Sequence, residues 1–430
     1  MLQSFQVKNF KSFIEARLDF RPVTVLIGAN ASGKTNLLEA LQLFSWMADG
    51  RQLSQVLSAV RDEDLSLRGT LPELTWEGSE IEFGCEVGVP DSEGNLRLEL
   101  KLALDFPLGP RVVSEVLRAS GSKIPLYDAE FTGSAHGLDI RYDNFARGGK
   151  KPKISASALQ PAFTQLMTPA RFAAKHGHSQ RRIPRACTVL SKALRSILVL
   201  DPAARRMRKY SHKLDRDLRS DGANISAVMA HLCATGRREN ILEFVRALPE
   251  QNIVGVGFIE TPREEVMLKL RETFGGTKHW REAAVLSDGT LRALAIAAAL
   301  LSVAEGSTVV IEEVDNGIHA ARVGRILTQM RKVAQERDLR VLVTTHNPAM
   351  LDALPDEELP HVIACYRDPT RGDSRLVALG EIERFPEIVA RGSLGHVVTH
   401  GVLDKFIKQT PGAKQAANKR WLAALRSASK

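Results

Sequence analysis

The hydrophobic pattern divides the chain into stretches of three kinds. Val23-Thr24-Val25-Leu26-Ile27 is an unbroken apolar, β-branched run, as expected of a strand buried on both faces of a parallel sheet. Thr308-Val309-Val310-Ile311 and Val341-Leu342-Val343-Thr344-Thr345 read the same way. From Glu80 to about Tyr142 the period changes to two. Ile81 to Val87 and Leu96 to Leu102 alternate apolar and polar, with turn chemistry at Asp91-Ser92-Glu93-Gly94-Asn95 between them. An antiparallel meander is predicted there, flanking the core. Two short strands are predicted around Lys8-Asn9-Phe10-Lys11-Ser12-Phe13, and further strands over Ile253–Glu260 and Glu265–Arg271. Helical spacing marks Asn36 to Phe44, most of 156–250 and a long apolar run from Leu291 to Ala304. Leu53 to Arg68 reads as helical or irregular, Phe145 to Ser155 as a loop, and Phe406 to Lys430 as a lysine-rich helical tail.

Between the first buried strand and the first helix lies Gly28-Ala29-Asn30-Ala31-Ser32-Gly33-Lys34-Thr35, which fits G-x-x-x-x-G-K-[ST] at every fixed position. Glycines let successive N–H groups turn inward toward a polyphosphate, and Lys34 adds a positive charge for the β- and γ-phosphates. The Thr35 hydroxyl can ligate Mg²⁺, and Asn36 opens a helix whose N-terminus favours anions. A turn that matches by chance is the plain alternative. The strand before and the helix behind favour ATP. A later strand ends in two acids. The first, Glu312, can hold Mg²⁺ through water. The second, Glu313, can polarise a water that attacks the γ-phosphate. Another strand ends in His346. Each feature alone is commonly structural; their order and spacing after the loop favour catalysis.

Charge changes the picture in one place. The 430 residues carry 59 basic and 50 acidic side chains, a net charge of +9. Residues 171–219 hold ten Arg, four Lys and three Asp, a local +11 that leaves the remainder at −2. Such a cluster suits DNA, RNA or another polyanion, or else a solvated helical face. Arg205, Arg206, Arg208 and Lys209 follow a break at Asp201-Pro202 and are expected on the first turns of an exposed helix. The four cysteines (Cys85, Cys187, Cys233, Cys365) form no C-x-x-C pair, which argues against a disulfide framework or zinc site. Met1 to Lys8 is too short and polar for a signal peptide, and Leu291 to Ala304 is too short for a bilayer. A soluble cytoplasmic protein with no membrane partner is expected.

The order of these motifs resembles the ABC-type ATPase heads of the RecF, SMC and OLD-like families. Lys8 to Phe13 is similar to their "NF-[KR]-S-F" strand pair and Gly28 to Asn36 to their Walker A. Leu286-Ser287-Asp288-Gly289-Thr290 resembles the signature motif, Ile311-Glu312-Glu313 the Walker B, Asp315-Asn316-Gly317-Ile318-His319 the D-loop region, and His346 the switch histidine. The likeness is greatest to stand-alone prokaryotic AAA-family ATPases, relatives of which work in anti-phage systems such as Septu and PARIS. It implies an α/β P-loop NTPase head with an antiparallel β flank and an inserted helical lobe. The expected parts are a first half of the ATPase core over 1–50, a β-meander over 51–155, a basic helical lobe over 156–250, a second half of the core over 251–365, and C-terminal strands with a basic tail over 366–430.

The resemblance further implies that two copies sandwich two ATP molecules, with Ser287 and Gly289 of one closing on the γ-phosphate held by Lys34 of the other. The implied function is an ATP-hydrolysing switch acting with nucleic acid or an effector protein in DNA repair or phage defence. A low-turnover, nucleotide-dependent scaffold that controls a toxin or nuclease is the alternative. This sequence departs from the family pattern at Asp288, Thr290 and Glu312. It offers no identifiable Q-loop glutamine; Gln160 is a guess. Asp368, Asp373 and Glu381 lack metal-site spacing, which argues against a nuclease.

Overall fold

The computed structural model describes residues 1–56, 67–89, 94–105, 108–133, 136–146, 148–246, 252–317, 320–382, 385, 393–399, 403 and 407. The turn at Asp91-Ser92-Glu93, Ile318-His319 and nearly all of the tail from Phe406 lie outside them.

The first 27 residues make three strands, β1 (Leu2–Phe10), β2 (Phe13–Asp19) and β3 (Val23–Ile27), split between two sheets. β1 and β2 form a hairpin closed by Phe10 opposite Phe13, with Asn9 and Lys11 in the left-handed region. On its other edge β1 pairs with β4 (Glu80–Val87), and the chain continues through β5 (Leu96–Ala103), β6 (Arg111–Ala119), β7 (Tyr127–Phe131), β8 (Gly137–Tyr142) and β9 (Lys153–Ser157). The result is one eight-stranded antiparallel sheet in the order β2-β1-β4-β5-β6-β7-β8-β9. The predicted meander is thus continuous with the N-terminal hairpin.

After β10 (Ile197–Leu200) comes a smaller sheet of β11 (Ser211–His212), β12 (Ile253–Glu260), β13 (Glu265–Phe274) and β14 (Thr277–Glu282). The central sheet then takes β15 (Thr308–Ile311), β16 (Arg340–Thr345), β17 (Ile363–Arg367) and β18 (Ser374–Ala378), in the order β10-β15-β16-β3-β17-β18. β18 runs antiparallel to β17; the other pairs are parallel.

Both faces of the central sheet are covered, and successive side chains enter opposite layers. Leu26, Val310 and Leu342 join a core with the eight-stranded sheet, α1 (Lys34–Ala48) and α2 (Gly177–Arg195). Phe44 stacks on Phe83 there, with ring centroids 5.3 Å apart. Val25, Ile27, Val309, Ile311, Val341 and Val343 enter the other core, built with α3 (Ile225–Ala234), α4 (Arg238–Arg246), α5 (Asp288–Ser302) and α6 (Ala320–Glu336). This double burial explains the unbroken apolar runs.

Residues 156–250, expected as one helical insertion, are distributed over both layers. α2 packs beside α1, β10 is an edge strand of the central sheet, and α3 and α4 belong to the opposite core. Ile197-Leu198-Val199-Leu200 is a short apolar run that periodicity cannot tell from the end of a helix. The expected exposed helix after Asp201-Pro202 is only Ala204–Met207. No described helix is long and apolar enough to cross a membrane.

Candidate functional site

The parallel register sets four strand ends side by side. Leu200 lies opposite Ile311, Ile311 opposite Val343, and Thr345 opposite Ile27. The residues that follow, Asp201, Glu312, His346 and Gly28, therefore share the carboxyl edge of the sheet, where open α/β sheets hold ligands.

The loop from Gly28 to Gly33 delivers the chain into α1. Gly33 caps that helix at φ +119, and a Cβ there would collide with the Ser374 side chain. Both facts demand glycine. Ala31 is left-handed at φ 62. Segments remote in sequence fix the loop. The Ser374 hydroxyl donates to the Ser32 carbonyl (2.6 Å) and lies 2.8 Å from Ser12 Oγ, whose own proton is free to complete that contact, and Asn36 Nδ2 donates to Ser12 Oγ (2.7 Å). Arg367 Nε donates to the Ala31 carbonyl at 3.1 Å. The Ser32 hydroxyl itself is buried without a hydrogen-bond partner. Lys34 curls over the loop, donating to the carbonyls of Gly28 (2.7 Å) and Ala29 (3.0 Å). Burial pulls its pKa below the usual lysine value, against the Glu312 and Glu313 carboxylates. An open groove of about 430 Å³ adjoins Asn36, lined in part by Lys11, Ser12, Arg68, Trp76 and Arg367.

Thr35 Oγ1 donates to Glu312 Oε1 at 2.8 Å, joining the loop to the end of β15. Burial raises the Glu312 pKa, Asp201 and Glu313 push it the same way, and the Thr35 hydroxyl opposes them. Glu313 sits at φ 47, a conformation that costs about 1–3 kcal/mol and is typical of functional turns. Its N–H donates to Thr344 Oγ1 (3.0 Å). Its carboxylate lies 3.3 Å from His346 Nδ1 and accepts from Asn316 Nδ2 at 3.3 Å.

The Ser287 turn stands at the N-terminus of α5. Ser287 Oγ accepts from the Thr290 N–H (3.2 Å) and lies 2.7 Å from Thr290 Oγ1. Gly289 packs so closely under the Gly317 carbonyl that a Cβ would not fit. Ser287 and Asp288 are exposed. Asp288 ion-pairs with Arg208 at 2.5 Å, and Arg208 also donates to the Leu286 carbonyl at 2.8 Å. Two of the four cations expected on a free helix face are thus engaged within the chain, since Arg206 pairs with Asp221 at 2.8 Å. With a helix of four residues, the helix-dipole argument for those cations does not apply. Gln160 bonds the Gly50 carbonyl.

Sequence reasoning missed Asp201, Ser12, Ser374, Thr344 and Arg208. Asp201 was within reach once Ile197–Leu200 is read as a strand. The others depend on contacts between distant segments.

A family model described as "AAA domain, putative AbiEii toxin, Type IV TA system" matches residues 23–352, a span that begins at β3 and runs beyond His346. The chain belongs to this family. It is a P-loop ATPase of the AAA class. It is 22% identical over 361 residues to an ATP/GTP phosphatase of Helicobacter pylori, covering 82% of this chain and 87% of that protein. It is 45% identical over 69 residues to the DNA replication and repair protein RecF of Gloeobacter violaceus, a match confined to 16% of each. Among solved structures it is similar to an Smc head domain derived from Pyrococcus furiosus, bound to the C-terminal domain of ScpA. That pair is 14% identical, covers 90% of this chain and 99% of that chain, and has a TM-score of 0.49.

Proposed function

We propose that this ATPase is a switch that closes in pairs around ATP and opens on hydrolysis. The observation that carries the reading is the Thr35–Glu312 hydrogen bond, which joins residues 277 positions apart at the loop predicted to hold phosphate. The orphaned Ser32 hydroxyl and the N–H groups of Gly28–Asn36 suit a polyphosphate. Thr35 and Glu312 offer the all-oxygen donor set that Mg²⁺ prefers, with the Asp201 and Glu313 carboxylates close enough to act on Glu312. Mg²⁺ held there would neutralise charge on the phosphates. Glu313 aligns and deprotonates the attacking water, and His346 holds the Glu313 carboxylate in place.

Ser287 and Gly289 serve the partner copy's nucleotide. The exposure of Ser287 and the half-buried place of Gly289 behind it, at the start of a 15-residue helix, support that role. Arg208 offsets the charge of Asp288, which would otherwise repel a phosphate. Nucleic acid or an effector protein is the partner of the switch, and Arg205, Lys209 and Arg216 remain exposed for an acidic one. Free, mostly buried cysteines suit the cytoplasm. Repair or phage defence is the setting that the RecF matches and the family description favour.

The test is light scattering of Glu313→Gln with and without ATP. The variant should bind ATP, stop turning over and double its mass. An unchanged mass with ATP bound removes the paired switch. Doubling in a wild type that barely hydrolyses ATP would favour the low-turnover scaffold.

A further inference from the structure

The small sheet carries a surface that neither the ATP chemistry nor the sequence pattern accounts for. β14 is an edge strand, and all six of its residues are exposed. Trp280, at its centre, is 45% exposed. A single exposed apolar side chain is ordinary, so the meaning of Trp280 depends on its neighbours.

The register supplies the neighbours. Arg271 lies opposite Trp280 on one side and Gly255 on the other; Lys269 lies opposite Glu282 and Gly257. Residues directly opposite share a face, so Trp280, Lys278, Lys269 and Arg271 stand together with Glu282, a net charge of +2. The alternate residues Val256, Leu268 and Leu270 are buried in the core beneath. Lys269 Nζ is 5.0 Å and Arg271 Cζ 5.7 Å from the indole centroid. The ring reaches across β13 to β12, where a Cβ on Gly257 would come within 2.9 Å of two ring carbons. A glycine there lets the indole reach across the sheet while its exposed surface stays open.

An exposed indole ringed by cations matches single-stranded nucleic acid. An unpaired base stacks on the ring while Lys269, Arg271 and Lys278 meet the phosphates on either side. A duplex keeps its bases stacked inside and gains only the charge term. We infer that the Trp280 face of β12–β14 is a docking platform for single-stranded nucleic acid. The strand that carries it runs through Ala283–Val285 directly into Leu286 and Ser287, so a docked strand would sit at the base of α5. The inference deepens the switch reading by naming its partner.

The test is fluorescence anisotropy of labelled oligo(dT), oligo(rU) and a duplex of equal length, across a salt series, with the full chain and no ATP. The wild type should prefer the single strands, and the DNA and RNA arms report which is taken. Trp280→Ala should weaken single-strand binding about tenfold and leave duplex binding nearly unchanged, while Trp280→Phe retains most of the affinity. Replacing Lys269, Arg271 and Lys278 with Ala should flatten the log–log salt slope by about 2 units. ATP affinity, read in parallel, should match wild type in every variant, which also reports folding. Wild-type single-strand curves for Trp280→Ala overturn the inference. So does a wild type that binds ATP but neither oligonucleotide, which would leave an acidic protein as the occupant. The ATP-free format keeps these outcomes separate from the mass change that tests the paired switch.

Discussion

The two helix starts to which we assign the chemistry are built in opposite ways. α1 begins at Gly33, with no side-chain cap, inside a loop held by Ser12, Ser374 and Arg367 from both ends of the sequence. α5 begins at Ser287, which caps the helix with its own hydroxyl, and the turn faces solvent. The first is shaped by tertiary contacts and accepts backbone strain at Ala31. The second is shaped locally and is anchored to the rest of the chain through Arg208 and the Gly317 contact. A site assembled within one copy can afford to be finished in advance. In the paired switch that we propose, the α5 turn meets another copy and has to stay open, so a self-contained cap suits it.

This contrast can be broken by mutation, and the largest effect should fall on the finished side. Lys34→Ala removes the only lysine of the loop and should weaken ATP binding by about 100-fold or more by calorimetry, with little change in melting temperature. Binding at wild-type strength would show that the loop's backbone alone holds the nucleotide. Gly33→Ala comes next. It forces a Cβ into Ser374 at a left-handed φ and should cost about 2 kcal/mol in denaturant unfolding, with a matching loss of ATP affinity. A neutral result would mean that the loop is as adaptable as the α5 turn.

Ser287→Ala should cost only about 1 kcal/mol, the worth of a cap, and leave ATP binding by the single copy intact while weakening the ATP-dependent mass change. Equal losses in both readouts would erase the distinction between the two helix starts.

The smallest effect on nucleotide is expected at Glu115, remote from both. Its carboxylate is wholly buried, accepts from the N–H groups of Ala162 and Phe163 and from the Tyr127 hydroxyl, and burial pushes its pKa up to about 7. The folded state therefore holds this proton to higher pH than the unfolded chain. The stability it contributes is present below about pH 4.5 and is lost as pH rises through about 7. Glu115→Gln should flatten that part of the stability–pH curve without altering ATP affinity at either helix start. A melting series across this range checks it.

What could be read from sequence tracks the same divide between local and distant causes. β3, the loop and α1 were legible because a buried strand, a glycine turn and a helical period are written in consecutive residues. The Ser287 turn was legible for the same reason. The role of Arg208 was not. It was grouped with its basic neighbours, yet its partner Asp288 is 80 positions away. β10 was missed because four apolar residues fit strand or helix alike, and Asp201 was lost with it. The meander was found by its alternation. Its fusion with the β1–β2 hairpin is a pairing choice that no local pattern encodes.

The stitching of the phosphate loop also orders events on the ribosome. The loop is made early, but β3's two neighbours, β16 and β17, emerge more than 300 residues later, and the Ser12–Ser374 bond spans 362 positions. A nascent chain therefore carries the nucleotide motif long before it has the residues that give it shape, and contacts of such separation close late. The loop takes its final shape only after Ser374 has been made. Ligand that binds only the shaped loop would favour chains in which these distant segments have already met.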